Sequence, residues 1–520
     1  MMDTTPHPGS HPVAGPATSA VPDLLRAVHL VDVAAPGMKG LALWLAGSGA
    51  DVTGSVPEAD RDSPAVAALR AAGVQVRVGF EPEHVRTDRT AVVWSGVFAG
   101  AHPELDHAQV LRLPILGRAA ALTAICAQAG SEAVAVAGSH STASAAAALA
   151  AVLDDGRTGW VLNAPAGGGS AGHAGDGRIV ADFCPDTATH EAAPPGARQH
   201  RPAPHFLHHE PHFAAALILS TGANAPHYED NIAGLDAAER LARRAGTVVL
   251  PTWDNGAKIL RERLGDRPGP HVVTVGTDPA DTVWIMRPRW TGEDFRVTLR
   301  HEGTDHAFVL PVTGRHHALA VCAAIATALV LGEDPQTLAE RASAFRGVER
   351  SLATVGTQSG ITVVDSRARH PREIAQDVTA ARMLTEGSLV VVLEPDGIAR
   401  TSAHAAELGA ALGDADHAVL LPVSTPLAAH LAPDPLDAVE QAARQALGAG
   451  AVHRVRSGPC EPGPEQRIFE TTTEGDLVLV VGTDQAERLG PRLLFHLAAP
   501  DVPIPQQLRP ARTTPTEKTP

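Results

Sequence analysis

The sequence is poor in cysteine, in aromatic side chains and in positive charge, and each shortage removes a class of protein. Four cysteines, Cys126, Cys184, Cys322 and Cys460, are scattered over 520 residues with no C-x-x-C spacing. Neither a disulfide framework nor a cysteine metal cluster is expected, and a reduced, cytoplasmic protein is the simplest reading. Aromatic residues make up 3% of the chain, too few for the stacking platforms that hold single-stranded nucleic acid. The formal net charge of −16 repels polyanions and argues against DNA or RNA as a partner. Long hydrophobic runs are also missing. The most apolar stretch, Ala318 to Leu331, is shorter than the roughly 18 residues of a membrane span and reads as a buried helix. Met1 to Pro22 lacks a basic segment followed by an apolar core, so it does not read as a signal peptide.

What is present is small and apolar. Hydrophobic residues account for 44% of the chain, mostly Ala, Val and Leu, enough for sizeable cores, and the length suits about three domains. Strand-like runs such as Val28–Val33, Val134–Ala137, Ala215–Leu219, Thr247–Leu250, Ile361–Val364, Leu389–Leu393 and Leu477–Val481 alternate with Ala- and Leu-rich helical stretches. This rhythm predicts an α/β protein with mainly parallel sheets covered by helices. Breaks near residues 130 and 346 divide it into units 23–130, 131–345 and 346–500. Proline-rich termini, 1–22 and 501–520, are expected to be disordered tails. The Gly-, Ala-, Pro- and His-rich stretch from Asn163 to about Arg201 is expected to contain a long mobile loop.

The most informative segment runs Val134-Ala-Val-Ala-Gly138-Ser-His140-Ser141-Thr142-Ala143-Ser144. A strand enters a tight polar turn and then a helix, an arrangement that presents backbone N–H groups to an anion such as a triphosphate. Earlier in the chain, Asp32-Val-Ala34-Ala35-Pro-Gly37-Met38-Lys-Gly40-Leu41-Ala42 is a second glycine-bearing turn, followed by Gly54-Ser55. Later segments include Gly314-Arg315-His316-His317, Phe345-Arg346-Gly347-Val348-Glu349-Arg350, Asp365-Ser366-Arg367-Ala368-Arg369-His370-Pro371-Arg372-Glu373-Ile374 and Pro395…Arg400-Thr401.

In order and spacing these segments resemble the ATP-dependent Mur ligases, most of all the branch that joins L-alanine to UDP-N-acetylmuramate. The resemblance covers nearly the whole chain outside its tails. It implies a Rossmann-like N-terminal domain, a central P-loop-type ATPase-like domain and a Rossmann-like C-terminal domain. It also implies a nucleotide site at Gly138, His140, Ser141, Thr142, Ser144 and Arg400, a UDP-sugar site at Gly37, Gly40 and Ser55, and catalytic positions at His370, Asp365 and Arg350.

Against the family pattern A-G-T-H-G-K-T-T, however, Thr142 stands for the phosphate-binding lysine and Ala143 for the magnesium-binding hydroxyl. Asp32, Ala34 and Ala35 replace glycines of the sugar-nucleotide loop. His317 and Ala320 replace the asparagines of G-x-H-N-x-L-N. The acidic segments that bind magnesium in the family fall near Ala181–Asp186 and on Ser220–Ala225, and the second keeps neither its carboxylate nor its imidazole.

A neutral Thr142 cannot oppose phosphate charge, and Ala143 cannot coordinate a metal. The expectation is therefore an inactive homologue with no cofactor and no metal. Such a protein would work by binding an authentic cell-wall ligase or another peptidoglycan-synthesis protein, with an open or loosely coupled C-terminal domain. The alternative is an active ligase that uses ATP and Mg²⁺, with Arg315, Arg350 or Lys258 as substitute cations. The histidines between His200 and His227 lie among Pro202, Pro204 and Pro211, which break any helix there, so a solvated loop is expected and not a metal site.

Overall fold

The computed structural model describes residues 21–95, 102–183, 211–221, 231–265, 269–423, 434–456, 463–483 and 485–498. The expected tails lie outside these residues, apart from Val21 and Pro22.

Three sheets organise the chain. The first is wholly parallel, in the spatial order Gln75–Val78, Asp51–Val56, Ala27–Val31, Ala91–Trp94, Ile115–Gly117. Its central strand, Ala27–Val31, is buried along nearly its whole length, as expected of a parallel strand covered on both faces. The third sheet has six strands in the order Ser351–Gln358, Ile361–Ser366, Leu477–Val481, Leu389–Leu393, His417–Leu420, Val452–Arg454. Only its first pair is antiparallel.

The second sheet has ten strands and is mixed, yet mainly parallel as expected, with antiparallel pairs only at its two edges. Parallel strands His271–Gly276, Ala245–Pro251, Phe213–Ile218, Ala133–Ala137, Ile179–Asp182 and Gly159–Val161 form its middle. One edge is an antiparallel meander, Val283–Trp290, Phe295–His301 and Thr304–Leu310. Phe295, Val297 and Leu299 are buried while the alternating Arg296 and Arg300 are exposed and Thr298 is half-buried; this period of two marks a sheet with one wet face. Ile179–Asp182 lies beside Ala133–Ala137, within the stretch expected to be partly loop. Residues 184–201 of that stretch lie outside the described residues.

Two alanine-rich helices, Thr142–Leu153 and Arg315–Val330, pack against each other under the central sheet. Ten of the twelve residues of the first are buried, and twelve of the sixteen of the second. A helix apolar all round belongs inside a core. The expected buried helix at Ala318 to Leu331 is the second of these, and both helices begin at the same place, the cleft facing the third sheet.

A single apolar core runs from the N-terminal sheet, through Leu122 and Ile125, onto the other face of the central sheet at Phe213, Ile218 and Val248. The C-terminal sheet has its own cores on its two faces. No described helix is long and apolar enough to cross a membrane.

Candidate functional site

The strand Ala133–Ala137 delivers the chain at its C-terminal end into the turn Gly138–Ser141 and then the helix Thr142–Leu153, as the segment's pattern predicts. Ser139 N–H donates to Ser220 Oγ at 2.8 Å, fastening the turn to the neighbouring strand's exit. Ser141 adopts the left-handed conformation, φ 59° and ψ 9°, which costs a residue with a Cβ about 1–2 kcal/mol. Its N–H does not face solvent: it donates to Glu373 Oε1 at 2.6 Å, across 232 residues of sequence. Thr142 is 2% exposed. Ser144 Oγ lies 3.0 Å from His317 Nδ1.

The opposite wall is the helix Pro371–Arg382, which His370 caps by accepting the Arg372 N–H on Nδ1 at 3.2 Å. Glu373 and Asp377 are four residues apart, so they share one helix face, and that face meets the central unit. The rings of His370 and His140 stack with centroids 5.3 Å apart. Burial lowers the pKa of His140, and burial together with His140 lowers that of His370 to about 4. Burial opposes ionisation of Glu373, yet His140, the Ser141 N–H and His370 hold its carboxyl below the usual glutamate range.

The C-terminal unit is thus docked onto the phosphate-type turn, which corrects the expectation of an open, loosely coupled arrangement. The expectation considered only the charge that a nucleotide would bring. The chain supplies its own anion, and a hydrogen bond to a charged group is worth about 1.5–3 kcal/mol. Backbone contacts add to the docking: Gly167 N–H donates to Gly347 O and Glu349 N–H to Pro165 O.

The cations of the cleft are mostly engaged. Arg350 makes a bidentate pair with Asp365, at 2.6 and 2.9 Å, and also reaches Gly482 O. Arg400 pairs with Asp396. Arg315 and Lys258 are exposed. Arg367 differs: it lines the cleft, and its guanidinium has no ion-pair partner among the described residues. Burial, with Arg369 and Arg350 nearby, lowers its pKa to about 10, so it remains a cation at neutral pH. The space left between the walls is about 110 Å³, small beside the roughly 300–1,000 Å³ of ordinary ligand pockets.

The N-terminal glycine turn is equally filled. Gly37 has φ +80°, and a Cβ there would lie 2.4 Å from Asn163 Oδ1. At Gly40 a Cβ would lie 2.4 Å from the carbonyl oxygen of Leu162. Both glycines let the helix Met38–Gly47 approach the central unit's hairpin Gly159–Val161/Gly172–His173. Ser55 Oγ donates to the buried carboxylate of Glu104 at 2.6 Å, which also meets His84 Nδ1 at 2.9 Å and His29 Nε2 at 3.4 Å. Asp32 stands beside this group, and burial, then Asp60 and Glu104, raise its pKa to about 7.

Comparison with known proteins agrees with this layout. Residues 27–129 match the model "Mur ligase family, catalytic domain" and residues 350–483 match "Mur ligase, glutamate ligase domain". The UDP-N-acetylmuramate–L-alanine ligase of Streptomyces avermitilis is 31% identical over 492 residues, 92% of this chain and 99% of the relative. The chain belongs to the Mur ligase family. The corresponding ligase of Clavibacter sepedonicus is also 31% identical, over 94% of this chain and 97% of its own. Among solved structures, the UDP-N-acetylmuramate-alanine ligase of Thermotoga maritima superposes with a TM-score of 0.69 at 21% identity, covering 90% of this chain and 98% of that one. A murein peptide ligase from Psychrobacter arcticus gives 0.64 at 18%, covering 91% and 99%. These two likenesses establish the three-sheet Mur ligase fold.

Within that fold, the structure brings His140, Ser141, Thr142, Ser144, Arg350, His370 and Arg400 to one cleft, with Gly138 in the turn just before it. Asp365 lies behind it, on Arg350. Gly37, Gly40 and Ser55 are bound up in the packing of the N-terminal unit. Of the two segments aligned with magnesium motifs, Cys184–Asp186 and Gly222–Ala225 lie outside the described residues, as do His200, His205, His208, His209 and His227. Sequence reasoning missed Asp377 and the docking role of Glu373. The i, i+4 spacing of these two acids opposite a His-His doublet was the available signal.

Proposed function

We propose that this Mur ligase homologue serves peptidoglycan precursor synthesis in the cytoplasm by binding, without turning over ATP. The observation that carries this reading is the bond from Ser141 N–H to Glu373: the donor that would cradle a phosphate holds a carboxylate of the same chain. As they stand, the cleft residues do not fit a nucleoside triphosphate. The turn has no lysine, its donor is occupied, and the space is small. A lost phosphate or magnesium clamp typically costs several kcal/mol in the transition state, and two are lost at Thr142 and Ala143. The partner proposed is an authentic cell-wall ligase or another cytoplasmic peptidoglycan-synthesis protein.

Phosphate release in the presence of UDP-N-acetylmuramate, L-alanine, ATP and Mg²⁺ is expected to stay at background. The double change Thr142→Lys with Ala143→Thr is not expected to restore it, because Glu373 still occupies the turn. Turnover by the unaltered chain at about 1 per second, an ordinary enzyme rate, would refute the reading.

A second reading, an active alanine-adding ligase, is favoured by the full-length similarity to such ligases and by Arg367, the cleft cation without an ion-pair partner among the described residues. It requires Glu373 to leave the turn and Arg367 to take the lysine's place. Arg367→Ala abolishing a measurable turnover would decide for it.

A further inference from the structure

Where the helix Arg315–Val330 begins, His316 Nε2 and His317 Nε2 point toward Asp377 Oδ1 from across the domain boundary, at 2.9 and 3.5 Å. All three atoms are buried, and none has a hydrogen-bond partner: they lie within reach of one another but out of hydrogen-bond alignment. Three buried polar atoms thus meet at one point with no aligned hydrogen bond among them, an arrangement that a cation between them would satisfy. Among the described residues this is the one group of three His, Cys, Asp or Glu side chains whose ligand atoms converge, all within 4.8 Å of one another.

We propose that His316, His317 and Asp377 bind one divalent transition-metal ion, zinc by the chemistry of the donors, which pins the C-terminal unit to the central one. Two imidazole nitrogens and a carboxylate oxygen are a zinc-type donor set, and tetrahedral bonds of about 2.0–2.1 Å place ligand atoms about 3.3 Å apart. The two His–Asp separations bracket that value. Magnesium, which demands oxygen donors in octahedral array, does not suit the site.

The outer contacts are those of a built metal site. His317 is held through Nδ1 by Ser144 Oγ, and Asp377 through Oδ2 by Ser366 Oγ, the kind of second partner that orients ligands. Burial, and then His317, favour the neutral form of His316, which leaves a lone pair to donate. His316 also lines an adjoining hollow of about 330 Å³ bordered by Trp290 and Leu384, so an ion has a way in. The sequence alone indicated no metal here, because the third ligand comes from a different domain. The proposal is independent of whether the cleft turns over ATP.

The test uses the full chain stripped with chelator and titrated with Zn²⁺. One saturable equivalent is expected, weakened about 100-fold or more by Asp377→Asn and by His317→Asn, since even outer-contact changes at metal sites cost 10–100-fold. Circular dichroism of the metal-free variants serves as the fold control. Absence of saturable binding, or binding that both variants leave unchanged, overturns the proposal. Co²⁺ added to the unaltered chain gives an answer that needs no variant. Intense visible bands of a four-coordinate site at one equivalent are expected, and weak six-coordinate bands would overturn the assignment.

Discussion

Asp32 follows the first strand with φ 56°, and its carboxyl is raised from 3.8 to about 7 by burial, then by Asp60 and Glu104. In the unfolded chain it ionises near 3.9. Between about pH 4 and 7 the folded state therefore holds more protons than the unfolded one, and stability falls as pH rises through that window. Asparagine tolerates the left-handed conformation and carries no charge. Asp32→Asn should raise stability at pH 8 by about 1–3 kcal/mol, each pKa unit being worth about 1.4 kcal/mol before discounting for partial exposure. It should change little at pH 4. Denaturant melts at the two pH values check this; an equal gain at both would acquit the carboxylate. At this scale the sequence was informative wherever a site is local. Gly138 to Ser144 read as a phosphate-type turn because strand, turn and helix are consecutive. Glu373 and Asp377 were opaque because their partners, Ser141 and His316, lie 232 and 61 positions away.

Elements were legible in proportion to how completely they are buried. Leu389–Leu393 and Leu477–Val481 are continuous apolar runs, and both are strands with every residue buried. The meander Val283–Leu310 was missed because its charged face interrupts the apolar one. Ile179–Asp182 was hidden inside a glycine- and proline-rich surround. Gly40 lies in the turn that the resemblance assigns to a sugar nucleotide, and it seats the helix Met38–Gly47 against the backbone of Leu162 and Ala171. Gly40→Ala should therefore cost about 1–3 kcal/mol, as overpacking does. Gly450→Ala, with no atom within 4 Å of the added methyl, should stay within about 0.5 kcal/mol. Thermal midpoints of the two variants compare them directly, and a Gly40→Ala chain as stable as its parent would leave the glycine unexplained by packing.

For the molecule as a whole, the docked C-terminal unit and the N-terminal unit are attached to the central sheet by different means. On the C-terminal side the attachment includes the bond from Ser141 N–H to Glu373 and the charge contacts of Asp377 with the two histidines, polar links that water can replace. On the N-terminal side it is the apolar core continuous from Leu122 to Val248. That continuity has a consequence for melting. Three sheets suggest three thermal transitions, but segments sharing one core lose it together. Calorimetry should resolve two: one for the first two sheets acting as a single cooperative block, and one for the third. Leu122→Ala and Val248→Ala, on opposite sides of the seam between the first two sheets, should lower the same transition, whereas Val391→Ala should lower the other. A chain severed near residue 130 would leave two fragments that each bare half of a common core, and neither should refold without the other.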